Sequence, residues 1–357
     1  MNIFIDINHP SYFHFFRKFI LEIREKEHNV IITAAEKDCL HELFKAYNIP
    51  FINKGKRAKN IIGKSFKLIR EVWMIYKIAR KNKIDLFLSF ASPYAAVAGK
   101  LAGKTVITFD DTENDVLLHL FFPTFSDFII TPECYEKDFG RKHYRFQGYK
   151  ESVYLREFLE QGLTNDKPHD IEKTPVVLIR FVQHSATHEL REKGYTKQEQ
   201  INIVSEISSY AKVYISSEEK LPKELEDYKL NIPPENMHEF LKSIDLFFGE
   251  STTMAAESAV LGIPVILVED KGRGYIRDLQ SRFGNIHTFK RKNYKAAVKK
   301  AIESLENIPS SRPDKKEIYS AILKESTDIT PFLINIVENF PSSLNELKKD
   351  PTRIIQK

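Results

Sequence analysis

Small and hydroxyl-bearing residues interrupt an apolar run within the stretch SIDLFFGESTTMAAESAVLGIPVILVED, residues 243–270. The interruption contains Gly249, Glu250, Ser251 and Thr252, and such residues end a strand and cap the helix that follows. A helix N-terminus combines unbonded N–H groups with the positive end of the helix dipole, and the two together bind phosphate. The stretch therefore predicts a β-turn-α-β unit with a phosphate site at the start of its helix.

A carboxylate stands one turn further along the same helix, at Glu257. This spacing places it near the helix N-terminus, where it can accept hydrogen bonds from two ribose hydroxyls. Phosphate and ribose sites so close together indicate a nucleotide. The alternative is an ordinary α/β unit in which Glu257 is a solvated helix residue.

Two histidines follow the first apolar strand, Ile3–Ile7. His9 lies in the turn and His14 in the helix that begins there. Open α/β sheets bind ligands outside the carboxyl ends of their strands, and a histidine can accept the proton of an attacking hydroxyl near neutral pH. Either histidine could instead cap or pack the helix.

Four acids occupy the six positions from 110 to 115, directly after the predicted strand Thr105–Phe109. Acids this close repel one another unless they cap a helix, bind a cation or take part in chemistry. Asp111 fits the N-cap of a predicted helix over 113–120. Asp111 and Glu113 are otherwise candidate catalytic acids or bases.

Strands alternate with helices along most of the chain, which predicts two doubly wound parallel α/β domains. No GxGxxG follows the first strand, so a dinucleotide-binding site is not indicated. The predicted domains are 1–155 and 170–328, with a polar linker over 160–173.

The composition is that of a folded α/β protein of 357 residues, 42% hydrophobic and 29% charged, with a net charge of +5. Its two cysteines match no disulfide or zinc spacing. The N-terminus has no signal-peptide pattern, and no run of 18 apolar residues occurs, so we expect a cytoplasmic protein. His184 and His188 stand four apart, but two ligands without a third do not predict a metal.

Basic residues dominate 54–83, where Glu71 is the single acid. Apolar residues recur among them at helical spacing, at Ile62, Phe66, Ile69, Trp73 and Tyr76. One interpretation is a helix packed on the sheet with a solvated cationic face. The other is an interfacial helix that holds the protein to anionic lipid. Nucleic acid is not expected, since no DNA- or RNA-binding motif accompanies the charge.

The chain resembles the archaeal and bacterial family catalogued as domain of unknown function 354. The resemblance lies in the segments MNIFIDINHPSYFHFF, FDDTENDV, TPE at 131–133, QGYKE, LIRFVQHSATHE, VYISSEEKLP and GESTTMAAESAVLGIPVI. The last segment is also similar to the nucleotide-sugar site of GT-B glycosyltransferases and of the UDP-GlcNAc 2-epimerases that share their fold. The resemblance implies two Rossmann-like domains facing across a cleft, 1–155 for the acceptor and 170–328 for the nucleotide sugar. It also implies that residues 329–357 cross back to the first domain as a helix.

The resemblance also implies roles for individual residues. In GT-B enzymes the first loop of the second domain approaches the phosphates, which here gives Arg180, His184 and Ser185. His14 matches the place of a histidine that faces the acceptor in the related peptidoglycan GlcNAc transferase. Glu113 stands where the hydrolysing 2-epimerases carry a catalytic glutamate, although their His-Val-Glu-Ala-Gly run is absent. Arg273, in a predicted flexible loop over 271–275, could neutralise a leaving diphosphate.

We therefore expect transfer of a sugar from a nucleoside diphosphate sugar to a glycan or lipid-linked acceptor in surface-glycan assembly. Helix dipole and cations would stabilise the leaving group, so neither cofactor nor metal is expected. Two alternatives remain. One is a 2-epimerase that uses Glu113, Asp111 or Asp115, and the other is a nucleotide-sugar binding protein without turnover. A place on the inner face of a membrane, held by 54–83, is consistent with each.

Overall fold

In the computed structural model, the strands of the described residues pair in parallel with their neighbours and form one sheet of eight strands and one of five. The chain divides into two compact units, Met1–Tyr154 with Glu325–Lys357, and Leu155–Lys324. Within these, the structure describes residues 1–56, 61–113, 116–165, 174–182, 194–308, 314–350, 352, 354 and 355.

The N-terminal part of the chain alternates strands with helices. Its strands are β1 (Asn2–Ile7), β2 (Asn29–Glu36), β3 (Ile52–Lys56), β4 (Leu86–Phe90), β5 (Thr105–Phe109), β6 (Phe128–Pro132) and β7 (His143–Phe146). Its helices are α1 (Pro10–Glu25), α2 (Leu40–Ala46), α3 (Ile61–Lys81), α4 (Pro93–Leu101), α5 (Val116–Phe125) and α6 (Lys150–Asn165). The boundary between the two units falls inside α6.

Local sequence explains where two of these helices begin. The His9 side chain accepts a hydrogen bond from the Ser11 N–H, and Pro10 occupies the first turn of α1. Ser92 caps α4 through the Ala95 N–H, again with a proline in the first turn. Proline suits this position because its missing N–H is not needed there.

The second unit has the same alternation on a smaller sheet. Its strands are β8 (Val176–Phe181), β9 (Lys212–Ser217), β10 (Leu246–Gly249), β11 (Val265–Val268) and β12 (Ile286–Phe289). Its helices beyond α6 are α7 (Lys197–Ser208), α8 (Met237–Ser243), α9 (Thr252–Val260), α10 (Gly274–Phe283), α11 (Tyr294–Glu306) and α12 (Lys315–Glu325). Strands β10 and β11 are wholly buried, as their apolar sequences require.

The last segment of the chain belongs to the first unit and contains α13 (Ile329–Glu338), α14 (Ser342–Lys349) and β13 (Ile354–Ile355). Lys26 on α1 forms an ion pair of 2.7 Å with Glu338 on α13. Strand β13 pairs with β7 and adds the outermost strand of the larger sheet.

The strand orders locate the place where each sheet reverses its winding. The larger sheet runs β13-β7-β6-β5-β4-β1-β2-β3, and the smaller runs β12-β11-β10-β8-β9. The reversals therefore lie between β1 and β4 and between β8 and β10. Ligands of open α/β sheets bind outside the carboxyl ends of the strands at such reversals.

Three details of the structure differ from the sequence interpretation. Residues 160–165, assigned to a linker, continue α6. The helix expected over 113–120 begins at Val116. The predicted loop 271–275 ends earlier than expected, because α10 begins at Gly274; Gly272 turns the chain at φ 68° and Tyr275 enters the core.

Helix α3 packs on the core mainly through residues beside the apolar stripe seen in the sequence, although Tyr76 of that stripe is partly buried against the same cluster. Val72, Ile75 and Ala79 are buried in a cluster with Phe4 and Phe87, whereas Ile69 and Trp73 are exposed. Within the described part of the chain, no helix is long and apolar enough to cross a membrane.

Candidate functional site

The turn between β10 and α9 lies at the reversal of the smaller sheet. A Cβ atom on Gly249 would stand 2.5 Å from the carbonyl oxygen of Arg180 on β8, so the close approach of these strands requires glycine. The Glu250 N–H donates to that same oxygen at 3.1 Å. The Glu250 carboxylate in turn accepts from the Val182 N–H at 3.3 Å. Glu250 therefore ties the turn to the end of β8.

Ser251 is the N-cap of α9, in extended backbone conformation, and its Oγ accepts from the Met254 N–H at 3.3 Å. Thr252 and Thr253 open the helix and are partly exposed. The N–H groups of a first helical turn have no partner within the helix, and the dipole favours an anion there. The helix N-terminus that the sequence predicted at Ser251 and Thr252 is therefore present in the structure.

Glu257 is buried one turn into α9, with 5% of its surface exposed. The alternative that it is a solvated helix residue is thus wrong. Its Oε1 lies 3.3 Å from Nε2 of His238, which is buried on α8. The ring of His238 also packs edge-on against Phe158. Helix α8 therefore orients the carboxylate that we expect to bind a ribose.

Arg180 extends from β8 toward the end of β9. Its Nη1 donates to Ser216 Oγ at 2.7 Å, and its Nη2 forms an ion pair of 2.8 Å with Glu218. The guanidinium is thus held by the Glu218 carboxylate and lies largely buried at the edge of the smaller sheet where its strands have their carboxyl ends. His184 and Ser185 lie outside the described residues.

Arg273 is the N-cap residue of α10. Burial raises the pKa of Glu269 above its usual range, and Arg273 is the foremost of the cations that oppose this shift. The positive charge of Arg273 therefore acts on the carboxylate at the end of β11.

The first unit presents its own polar side chains at the carboxyl edge of the larger sheet. His9 Nδ1 accepts the Ser11 N–H at 3.2 Å, which leaves the proton of a neutral ring on Nε2. His14 is buried at 7% exposure, packed edge-on against Phe13 and 5.7 Å from the ring of Tyr154. His9 is thus the capping histidine, while a catalytic role for His14 stays a prediction.

Asp111 stands five positions before Val116, where α5 begins, so it is not at the N-cap position that one interpretation of the sequence gave it. Its Oδ2 lies 2.6 Å from Nζ of Lys150 at the start of α6, and both side chains are buried. Nζ of Lys150 also lies 5.8 Å from the centroid of Tyr12 and 5.9 Å from that of Phe90, two rings stacked at 4.2 Å. The structure therefore joins the loop after β5 to α1 through a buried cation.

The neighbouring carboxylate, Asp110, holds the end of β5 in place. Its Oδ1 accepts the N–H groups of Asp111 and Thr112. Its Oδ2 lies 2.5 Å from the Tyr135 hydroxyl and 3.0 Å from His119 Nε2. Burial raises the pKa of Asp110, although the hydrogen bond from His119 opposes the shift.

Two further contacts complete this network. Lys137 Nζ lies 2.8 Å from His119 Nδ1; an ammonium only donates, so the ring proton is on Nε2 and points at Asp110. Glu113 is also buried, and its Oε1 accepts the Glu136 N–H at 3.4 Å. Asp110, Asp111 and Glu113 thus place three buried carboxyls at one strand end.

Below the reversal of the larger sheet lies a fully buried ion pair, in which Lys54 Nζ is 2.5 Å from Asp6 Oδ1. Asn8, Thr33 and Ser92 donate to the same carboxylate at 2.8, 2.7 and 2.5 Å. Burial would raise the pKa of Asp6, but Lys54 and these hydrogen bonds together hold it below its usual range. This network fixes the loops that follow β1 and β4.

Sequence reasoning missed several of these side chains. Lys150, His119 and His238 each stand alone in the sequence, and their partners are 39, 9 and 19 residues away. No spacing rule joins such pairs before the fold is known. Among the described residues, no group of three or more His, Cys, Asp and Glu side chains could hold a metal ion.

Several solved structures share this fold, and two of them contain a uridine nucleotide. The S. aureus MnaA–UDP co-structure has a TM-score of 0.67 and 10% identity, over 98% of each chain. The UDP-GlcNAc 2-epimerase from Neisseria meningitidis, bound to UDP-GlcNAc, has a TM-score of 0.62 and 12% identity, over 95% of this chain and 100% of that one.

A glycosyltransferase is similar to the same extent. The spinosyn rhamnosyltransferase SpnG, complexed with thymidine diphosphate, has a TM-score of 0.60 and 11% identity, over 95% of this chain and 100% of that one. These similarities confirm the fold class, two doubly wound parallel α/β units of the GT-B kind.

The search of curated proteins finds no match. One family matches residues 1–274, with the description "Protein of unknown function (DUF354)". The match covers most of the chain and includes the loops after β1, β5, β8 and β10. The chain belongs to this DUF354 family, as the sequence motifs predicted.

Proposed function

We propose that the protein transfers a sugar from a nucleoside diphosphate sugar to an acceptor hydroxyl in surface-glycan assembly. The observation that carries the proposal is the turn from β10 to α9. It combines a strand approach that requires Gly249, a capped helix N-terminus at Ser251 and a buried Glu257 one turn in. Proteins of the same fold bind UDP, UDP-GlcNAc and thymidine diphosphate.

The second unit would hold the donor. The N–H groups of Thr252 and Thr253 face the diphosphate, and Glu257, oriented by His238, accepts the ribose hydroxyls. Arg180 and Arg273, with His184 and Ser185, supply positive charge and hydrogen bonds around the phosphates. Fixed dipoles and cations of this kind stabilise a leaving diphosphate, so the proposal requires no metal.

The first unit would supply the base for the acceptor. The acceptor oxygen forms its bond to the anomeric carbon as the bond from that carbon to the diphosphate breaks. The hydroxyl proton goes to His14, and the negative charge of the departing diphosphate is taken up at the N-terminus of α9. The acceptor is a glycan or a lipid-linked sugar.

A variant of Glu257 tests donor binding, and a variant of His14 tests proton transfer from the acceptor. Glu257→Gln weakens donor binding at least tenfold, because an amide accepts fewer hydrogen bonds than a carboxylate and charge-assisted bonds are the strong ones. The control is Glu239→Gln, which removes the same charge from the exposed side of α8. Equal donor affinity in both variants, measured by calorimetry, would remove Glu257 from the site.

His14→Ala is expected to abolish transfer while it leaves donor binding intact. His9→Ala is the control, since His9 caps α1 and contacts Tyr12 but is not the proposed base; loss of the cap costs about 1 kcal/mol of stability. Full transfer activity in the His14 variant would show that another group accepts the proton.

A 2-epimerase is the second candidate, and the loop after β5 favours it. Asp110, Asp111 and Glu113 are buried together at this strand end. Glu113 or Asp111, as a carboxylate, would remove the proton from carbon 2 of the sugar. In that case Glu113→Gln would stop exchange of the carbon 2 proton with deuterium oxide. Unchanged exchange in this variant would exclude Glu113 as the base.

A further inference from the structure

Helix α3 has two apolar stripes, and the core uses one of them. Val72, Ile75 and Ala79 are 9%, 0% and 3% exposed and pack in the core of the first unit. Two residues of the second stripe remain in solvent, Ile69 at 69% and Trp73 at 56% exposure, while Tyr76 is partly buried against the core. These two residues are four apart and therefore neighbours on the helix surface. A helix that already packs on the sheet gains nothing for its fold from a second apolar stripe.

The aromatic part of this stripe is ordered by its neighbours. Tyr76 stacks on Trp73, with ring centroids 5.4 Å apart and planes 14° apart. Lys77 Nζ lies 5.3 Å from the centroid of the Trp73 ring. Such amphipathic aromatic rings, next to a long cationic side chain, are typical of the interface between lipid and water.

The charge around the stripe has one sign. Arg70, Lys77, Arg80 and Lys81 are exposed along the described part of α3. The acid of this segment, Glu71, is 2% exposed and is paired with Lys67 at 3.1 Å and Lys54 at 3.5 Å. The buried ion pairs thus take the negative charge away from the outer face, which is left cationic and apolar.

We propose that this face of α3, formed by Ile69, Arg70, Trp73, Lys77, Arg80 and Lys81, docks on an anionic lipid surface. The aromatic and aliphatic side chains enter the headgroup region while the cations contact the lipid phosphates. A nucleic acid would contact the cationic side chains but would offer the exposed Ile69 no apolar partner. A lipid surface contacts both the cations and the apolar side chains, so it fits this face better. The proposal does not depend on the reaction that the protein catalyses.

Trp73 makes the test direct, because it is the single tryptophan of the chain. We expect the purified full-length protein to bind phosphatidylcholine vesicles that contain phosphatidylserine, with a blue shift of the Trp73 emission. Pure phosphatidylcholine vesicles and high salt should both reduce binding strongly, since salt screens the attraction.

The triple variant Arg70→Gln/Lys77→Gln/Arg80→Gln should lower the partition coefficient by about 100-fold at low salt, at roughly fivefold per charge. Ile69→Gln should lower it by about tenfold while it keeps the charge. The matched control, Lys292→Gln/Lys295→Gln/Lys299→Gln, removes three exposed lysines from the second unit. It should bind as the wild type does.

Three outcomes would overturn the proposal. The first is absence of binding to anionic vesicles at low salt. The second is binding without any change in the Trp73 emission, which would mean docking through another surface. The third is equal binding by the two triple variants, which would mean that net charge alone is responsible. Circular dichroism checks that each variant is folded, which we expect because all the replaced side chains are exposed.

Discussion

Replacement of Lys54 by methionine should destabilise the first unit severely. Lys54 Nζ lies 2.5 Å from Asp6 and 3.5 Å from Glu71, and the three side chains are 0%, 0% and 2% exposed. Loss of the cation leaves Asp6 buried without its counter-charge. Breaking a buried pair in this way costs about 3–5 kcal/mol, which for a unit of this size lowers Tm by roughly 6–20 °C.

The assay is scanning calorimetry, with two controls built from the same chain. Lys104→Met breaks an exposed pair with Asp85, 3.9 Å apart with side chains 39% and 38% exposed, and should cost at most about 1 kcal/mol. The double variant Asp6→Asn/Lys54→Met leaves no uncompensated charge at this position. It should therefore recover much of the stability that Lys54→Met loses.

The pKa of Asp6 determines how the stability of the first unit changes with pH. The pKa of Asp6 is held below its usual range, with Lys54 and the hydrogen bonds outweighing burial. The contribution of the pair is thus fully present above about pH 4 and is lost as the pH falls below that value. Because acid protonates the stranded Asp6 in Lys54→Met, the gap in Tm from the wild type should narrow between pH 7 and pH 4. Equal loss of Tm in Lys54→Met and Lys104→Met would refute the reasoning.

Three further predictions follow from other contacts. Gly249→Ala should destabilise the second unit by about 1–3 kcal/mol and weaken donor binding, because the added Cβ would lie 2.5 Å from the backbone carbonyl of Arg180. An unchanged melting temperature and donor affinity would contradict this. Lys150→Met should destabilise the first unit more than Asp111→Asn does, because it removes the cation from two buried carboxylates, Asp111 at 2.6 Å and Glu151 at 3.3 Å, whereas Asp111→Asn leaves Lys150 paired with Glu151. Equal losses in denaturant unfolding would contradict this. Burial lowers the pKa of His143, against the hydrogen bond to Asp138, so stability present above about pH 6.5 should fall as the pH drops. His143→Gln should flatten the Tm profile between pH 7 and pH 5, and an unchanged slope would exclude His143 as its source.

The β10-turn-α9-β11 unit could be predicted closely from sequence, because each step has a local cause. Each cause is visible in order along the chain: an apolar strand, a glycine at a close backbone approach, a capping serine and a β-branched strand after Pro264. The same locality explains why β5 matches its predicted bounds, Thr105–Phe109.

The parts that were missed depend on the fold rather than on neighbours in sequence. Burial of Glu257 depends on His238 from another helix, and the pairing of Asp111 depends on Lys150 from α6. The start of α10 was taken for a loop because Gly272 and Gly274 suggest flexibility. The helix that follows buries Tyr275, Ile276 and Leu279, and this packing could not be predicted from the two glycines.

Helix α3 shows a different limit of sequence patterns. Apolar residues at 62, 66, 69, 73 and 76 follow helical spacing, yet those at 72, 75 and 79 pack in the core. Two stripes of similar spacing cannot be ranked without the sheet against which one of them packs. The exposure of Ile69 and Trp73 is therefore information that the structure adds.

The central claim is that the turn between β10 and α9 binds a nucleoside diphosphate sugar. The most direct measurement is proton NMR of the protein with UDP-, GDP- and CDP-sugars in deuterium oxide, without acceptor. We predict line broadening for one nucleotide sugar, no deuterium at carbon 2, and loss of the broadening in Glu257→Gln but not in Glu239→Gln. Deuterium at carbon 2 would instead support the epimerase. Sharp lines for every nucleotide sugar, or broadening that survives in Glu257→Gln, would contradict the account.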